Sequence, residues 1–306
     1  MNGFYSEGSL LGSEGNTTAV GSREGLYRAC ENGTILEARA VLCDREHNLH
    51  LRLGGGIHGI IPRVECALGI DDGSVRDIAI ISRVNKPVCF TVTGFFTENG
   101  KEFAKLSRVA AQKRCLSQYV NTLVPGDVIP VRAVHFESFG AFCDIGCGIS
   151  ALLPIDAISV SRIPHPSVRL NINGEFRAVV SSTENGRITL TLKELLGTWE
   201  ENAGSFSPGE TVPGIIRSVE SYGIFVELSP NLAGLAEYAP DVKAGQAATV
   251  YIKNIIPEKM KIKLVIVDSF DQIESPAPLK YFTDAEHIDR FCYSPPYSER
   301  QIETIF

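Results

Sequence analysis

The chain has one Trp, two Met and no run of about 18 apolar residues, so no membrane-spanning helix is expected. Its Gly/Ser-rich, acidic start lacks the basic residues and apolar core of a secretory signal. Positive charge is also in deficit. Against 36 Asp+Glu stand 29 Lys+Arg, a formal charge of −7, which excludes a bulk polyanion binder. Any nucleic acid would have to be held on a local surface. The eight cysteines are spread singly, mostly in apolar runs such as Val88-Cys89-Phe90, which suits free thiols in a reducing cytoplasm. Cys43, His47, His50, His58 and Cys66 lack a second paired element, so no metal or other cofactor is expected. Gly54-Gly55-Gly56 is followed by no Gly-Lys-Ser/Thr helix start, and no nucleophile–base set stands out. The chain is therefore read as a non-enzyme. What remains is 306 residues with 44% hydrophobic content, enough for two or three small domains.

Internal repetition organises those residues. The segment Gly126–Ile145 aligns without a gap on Gly209–Leu228: Gly126 with Gly209, Phe139-Gly140 with Tyr222-Gly223, and Phe142 with Phe225. A weaker upstream copy aligns Leu49, Leu51 and Leu53 with Ala141, Cys143 and Ile145, and Ile60-Ile61-Pro62 with Leu152-Leu153-Pro154 and Leu235-Ala236-Glu237. Its aromatic positions are then His47 and His50. Period-2 segments separated by turns such as Glu98-Asn99-Gly100-Lys101 indicate strands, roughly five per copy, and so small closed barrels. Ser107 to Tyr119 and Lys193 to Glu201 read as helical links. Single Trp199 is expected to pack between the middle and last barrels.

Two pairs of rings carry the chemistry. With Ala141, Cys143 and Ile145 facing inward, Phe142 and Asp144 face out. A bulge or kink at Gly140 would turn Phe139 out beside Phe142, and the same holds for Tyr222 and Phe225 around Gly223. Such rings form a stacking platform for nucleobases, worth about 1–3 kcal/mol per base. Phosphates need nearby cations; Arg132, Arg187, Arg217, Lys253, Lys259, Lys261 and Lys263 are candidates, and Glu237 would oppose RNA. The competing reading makes the rings core residues or a protein contact.

On Gly126, Phe139-Gly140-Ala141-Phe142, Ile145 and Leu152-Leu153, and on Gly209, Tyr222-Gly223-Ile224-Phe225-Val226, Leu228 and Gly234-Leu235, the repeats resemble the S-one RNA-binding domain, an OB-fold module. The resemblance covers about 26–268 and is weakest in the first copy. It implies five-stranded antiparallel barrels that bind single-stranded RNA through Phe139, Phe142 and Arg187 in the middle copy and Tyr222, Phe225 and Lys261 in the last. The family's His falls on Pro154 and Glu237, and its acidic residue near Thr183, which are departures. The first copy keeps Lys101 but has His47, His50 and Pro62, so it is expected to be structural or to bind a partner.

The expected organisation is an all-β chain of three tandem barrels joined by short helical linkers. Residues 1–25 form a flexible segment, 26–119 the degenerate first repeat with its linker helix, 120–200 the second and 201–268 the third. An aromatic tail, 269–306, packs on the third. The resemblance implies messenger RNA and the small ribosomal subunit as partners, in the cytoplasm and away from membranes. The rival readings are a protein-interaction scaffold without RNA binding and an RNA-binding accessory of a processing enzyme.

Overall fold

The computed structural model describes residues 3–272 and 276–306. They form two compact units: 3–123 with 144–150, and 124–143 with 151–272 and 276–306.

In the first unit the chain runs through α1 (Glu14–Gly21), α2 (Arg23–Asn32), β1 (Ile35–Cys43), β2 (Leu49–Arg52), β3 (His58–Ile61), α3 (Ile78–Ile81), β4 (Pro87–Glu98), β5 (Lys101–Ser107) and α4 (Arg108–Gln118). The strands close a barrel in the order β1-β2-β3-β5-β4. Alternation builds it: Leu49 and Leu51 of β2 and Ala104 and Leu106 of β5 point into the core, while Arg52 and Lys105 are exposed. Ser107 starts α4 where the sequence placed a helix, its hydroxyl accepting the Ala110 N–H at 2.8 Å.

From Gly3 on, the N-terminal segment carries two helices and packs buried residues into the first unit. Ser13 and Ser22 cap α1 and α2, and Glu7 is buried. The Glu7 carboxylate accepts from Arg108 at 2.6 and 3.1 Å, from Arg83 at 2.8 Å and from the Cys89 N–H at 3.1 Å. Burial works to raise its pKa, but the two guanidiniums hold it below the ordinary carboxylate range. Composition hid this because a few carboxylates, Glu7 among them, do the anchoring. Asp144 was expected to face solvent and is buried instead. It accepts the N–H groups of Glu7, Gly146 and Gly148 at 2.7, 2.8 and 3.0 Å.

The chain then runs through β6 (Val128–Glu137), β7 (Gly140–Asp144), β8 (Ser150–Pro154), β9 (Glu175–Ser182) and β10 (Thr189–Thr191), then α5 (Trp199–Ala203), β11 (Thr211–Glu220), β12 (Gly223–Ser229), β13 (Leu232–Ala236), β14 (Ala247–Ile256) and β15 (Lys261–Phe270), all in the second unit but Asp144 and Ser150. These strands close two more barrels with the same neighbour order as the first. The fold is thus mostly β, with closed five-stranded barrels of OB type. The expected fully antiparallel arrangement needs one correction. In every barrel the third and fifth strands run parallel: β3 with β5, β8 with β10 and β13 with β15. A barrel of this order must close on that seam, and period-2 patterning carries no strand direction.

Trp199 is buried and joins the core of the third barrel with Ile216, Val226 and Ile252. The tail ends in the hairpin strands β16 (Arg290–Cys292) and β17 (Glu303–Ile305). It does not rest on the third barrel alone. The Arg177 N–H donates to the Tyr281 hydroxyl oxygen at 2.9 Å, and the Val128 N–H donates to the Glu286 carbonyl at 2.9 Å, both on the middle barrel. Tyr293 reaches the third, its hydroxyl donating to the Asn231 carbonyl at 2.6 Å. All eight cysteines are free thiols.

Candidate nucleic-acid interface

Phe139 and Tyr222 are in the water: 54% and 69% exposed. Phe142 and Phe225 are half-buried beside them. Each pair meets edge to face, with centroids 6.1 Å apart at 88° for Phe139–Phe142 and 6.2 Å at 85° for Tyr222–Phe225. The cause is not a bulge at the glycine. Phe139 and Tyr222 lie in the turns before β7 and β12, outside the strand alternation. The glycines serve the close approach of the next strand. A Cβ on Gly140 would lie 2.4 Å from the Leu153 carbonyl oxygen, and one on Gly223 would lie 2.7 Å from that of Ala236. Gly223 also has φ +150°, so a side chain there is strained on both counts.

The middle platform has a third ring that the sequence reading missed. His135 of β6 stacks on Phe142 at 6.2 Å and 25°. In the gapless alignment its counterpart is Ser218, which stands opposite Phe225 in the β11–β12 register. The signal was therefore available: His135 occupies the position across from the strand aromatic.

Register carries each platform sideways across the barrel. In the third barrel Phe225 lies opposite Leu235, and Leu235 opposite Lys263. Leu235 is 37% exposed, so ring, apolar side chain and cation form one outward row. Lys261 stands one outward position back on β15. In the middle barrel Leu152 of β8 stands opposite Thr189 of β10. Arg187, two residues earlier, is exposed and lines an open depression of about 500 Å³ with Ser182, Glu184 and Thr189. In the first barrel the same rung reads His50, Ile60 and Lys105.

The candidate cations divide by what already holds them. The Arg217 guanidinium is buried on Glu227, at 2.7 and 3.2 Å, where Arg169 also binds. Arg132 is engaged by Glu175 and by the Asn173 carbonyl. Lys259 lies 3.7 Å from Glu299, and Lys253 lies 3.9 Å from Glu237. Among the described residues no ion pair engages Arg187, Lys261 or Lys263. The opposing charge of Glu237 is thus partly met by Lys253.

The first barrel departs from the others. His50 Nε2 lies 2.9 Å from Asp44, and His47 Nδ1 lies 3.8 Å from Asp77. Lys101 is not the counterpart of Arg187 and Lys261. It pairs with Glu98 at the hairpin end, while the register gives Phe103 that place: Phe96 faces Phe103 where Ile256 faces Lys261.

No protein-family model matches the chain. Its sequence is 27% identical over 225 residues to small ribosomal subunit protein bS1 of Leuconostoc lactis, covering 68% of this chain and 51% of that protein. It is 27% identical over 190 residues to bS1 of Staphylococcus aureus, strain MRSA252, covering 56% of this chain and 48% of that one. The chain thus spans about half the length of these curated relatives. A solved multidomain protein with nucleic acid binding domains from Streptococcus pneumoniae TIGR4 covers 79% of this chain and 76% of its own. Its identity is 13% and its TM-score 0.25, an overlap too low to carry an argument. The resemblance read from the repeats is matched by these relatives: the chain is similar in sequence to small ribosomal subunit protein bS1.

Proposed function

We propose that this protein binds single-stranded RNA without catalysis, by stacking unpaired bases on Phe139/Phe142 and on Tyr222/Phe225. Arg187 and Lys261 anchor the backbone on the two faces. The observation that supports this best is the presence, on the same barrels as the water-exposed rings, of cations that no carboxylate holds among the described residues. Every base has a π-face, so this grip tolerates most sequences. Helical RNA keeps its bases stacked inside and is a poor ligand for such a platform. The kinship with bS1 favours messenger RNA at the small ribosomal subunit, in the cytoplasm, as the setting.

Titrating a labelled single-stranded RNA tests the reading. Phe139→Ala/Phe142→Ala is expected to weaken binding at least tenfold, since each lost stack is worth about 1–3 kcal/mol. Affinity equal to wild type, with the thermal transition unchanged, removes the stacking role. The scaffold reading rests on the net charge of −7 and on Glu237. Absence of RNA binding in wild type at low salt would favour it.

A further inference from the structure

On the outer face of the first barrel, the rung next to His50 is a ladder of rings. Arg52 lies opposite His58, His58 opposite Phe103, and Phe103 opposite Phe96, across four neighbouring strands. His58 and Phe103 have centroids 5.8 Å apart, tilted by 37°. Phe103 and Phe96 are stacked at 5.2 Å and 14°. Phe96 is 40% exposed and His58 is exposed, so both ends of the ladder meet water. The third barrel has nothing comparable, since Lys261 and Ile256 fill the places of Phe103 and Phe96. The charges around the ladder suit a polyanion. Arg52, Lys101 and Lys105 are exposed, and no ion pair among the described residues engages them. The carboxylate next to Phe103 in the strand, Glu102, is held by Arg23 and Tyr27 at 3.1 and 2.7 Å.

We infer that the first barrel, whose His47 and His50 are tied to carboxylates, binds nucleobases of a single strand on the His58–Phe103–Phe96 ladder, with Arg52 and Lys105 on the flanking phosphates. This rests on the RNA-binding reading above and extends it to the repeat that lacks the usual aromatics. Imidazole and phenyl faces both stack on bases.

The test uses the full chain and a labelled oligouridylate of about 30 nucleotides, with some positions replaced by 4-thiouridine for photocrosslinking. Leucine keeps the apolar bulk but removes the π-face, so it separates base stacking from docking of an apolar protein surface. Phe96→Leu/Phe103→Leu is expected to bind about tenfold more weakly, with crosslinks in wild type mapping to peptides that contain His58, Phe96 or Phe103. Arg52→Ala is expected to lower the salt slope of binding by about 0.7. If the double variant loses its thermal transition, Phe96→Leu alone, at an exposed site, carries the comparison. Unchanged affinity and no crosslink in these peptides, while Phe139→Ala/Phe142→Ala abolishes binding, overturns the ladder and leaves the proposed function standing. Unchanged affinity in both sets of variants overturns both.

Discussion

At the scale of single residues, the same side chain type does opposite jobs according to its partner. Arg187 and Arg217 are both cations on barrels with exposed rings. Arg187 is exposed and unengaged by any carboxylate among the described residues, whereas Arg217 is buried in a bidentate grip on Glu227. Glu227 in turn answers two guanidiniums, those of Arg217 and Arg169. Removing the shared carboxylate strands two buried cations. Glu227→Ala is therefore expected to destabilise the protein by about 3–5 kcal/mol. Arg187→Ala is expected to leave the unfolding midpoint in place, as a surface change does. Denaturant unfolding of both variants checks the pair; a Glu227→Ala midpoint close to wild type would mean the cluster carries no stability. Sequence alone could not show that Arg217 is committed, because only the register brings Glu227 opposite Ile215, beside Arg217.

At the scale of elements, the segment before α1 is a strap fastened by carboxylates. Glu37 of β1 accepts the N–H groups of Gly8 and Leu10, each at 2.9 Å. Burial pushes its carboxyl up to about 7, against the help of those two N–H groups and with added repulsion from Glu7 and Asp144. Arg83 and Arg108 face the same cluster but are bonded to Glu7. The sign follows from proton counting. Below the ordinary value of 4.5, Glu37 is protonated folded and unfolded. Between 4.5 and about 7 the folded state holds a proton that the unfolded chain has released, so stability falls as pH rises. Above about 7 the loss is complete. Wild type is expected to lose roughly 3 kcal/mol relative to Glu37→Gln across that window. Melting both at a series of pH values checks this, and parallel curves would dismiss the effect. The strap also shows where legibility ended. Strands, hairpin turns and the Ser107 cap were readable because period 2 and Gly-containing hairpins are local signals. The strap depends on Glu7 meeting Arg108, 101 residues away, and no local pattern encodes that. His135 and the Phe103–Phe96 pair were missed for a related reason. They are platform residues by register with a neighbouring strand, not by spacing along their own.

At the scale of the whole molecule, a chain of charge −7 must gather its cations where phosphates would pass. Most candidate cations of the second unit are already committed: Arg217 to Glu227, Arg132 to Glu175, Lys259 to Glu299 and Lys253 to Glu237. That leaves Arg187, Lys261 and Lys263 for the backbone of a strand stacked on the two ring pairs, a small electrostatic footing. Each phosphate contact on a single strand contributes about 0.7 to the slope of log affinity against log salt. The slope for an RNA confined to these two platforms is therefore expected near −2. Two linked platforms then supply what charge does not, since avidity can exceed either site alone by about 10²–10⁴ when both engage one strand. The two contributions separate experimentally. Lys261→Ala should reduce the slope by about 0.7 for an oligonucleotide long enough to engage both platforms and leave one that fills only the middle platform unaffected. Tyr222→Ala/Phe225→Ala should leave the slope nearly unchanged and penalise the long oligonucleotide far more than one that fills only the middle platform. A wild-type slope near −5 would require phosphate contacts beyond these three cations, and a slope near zero would take the backbone out of the interface altogether.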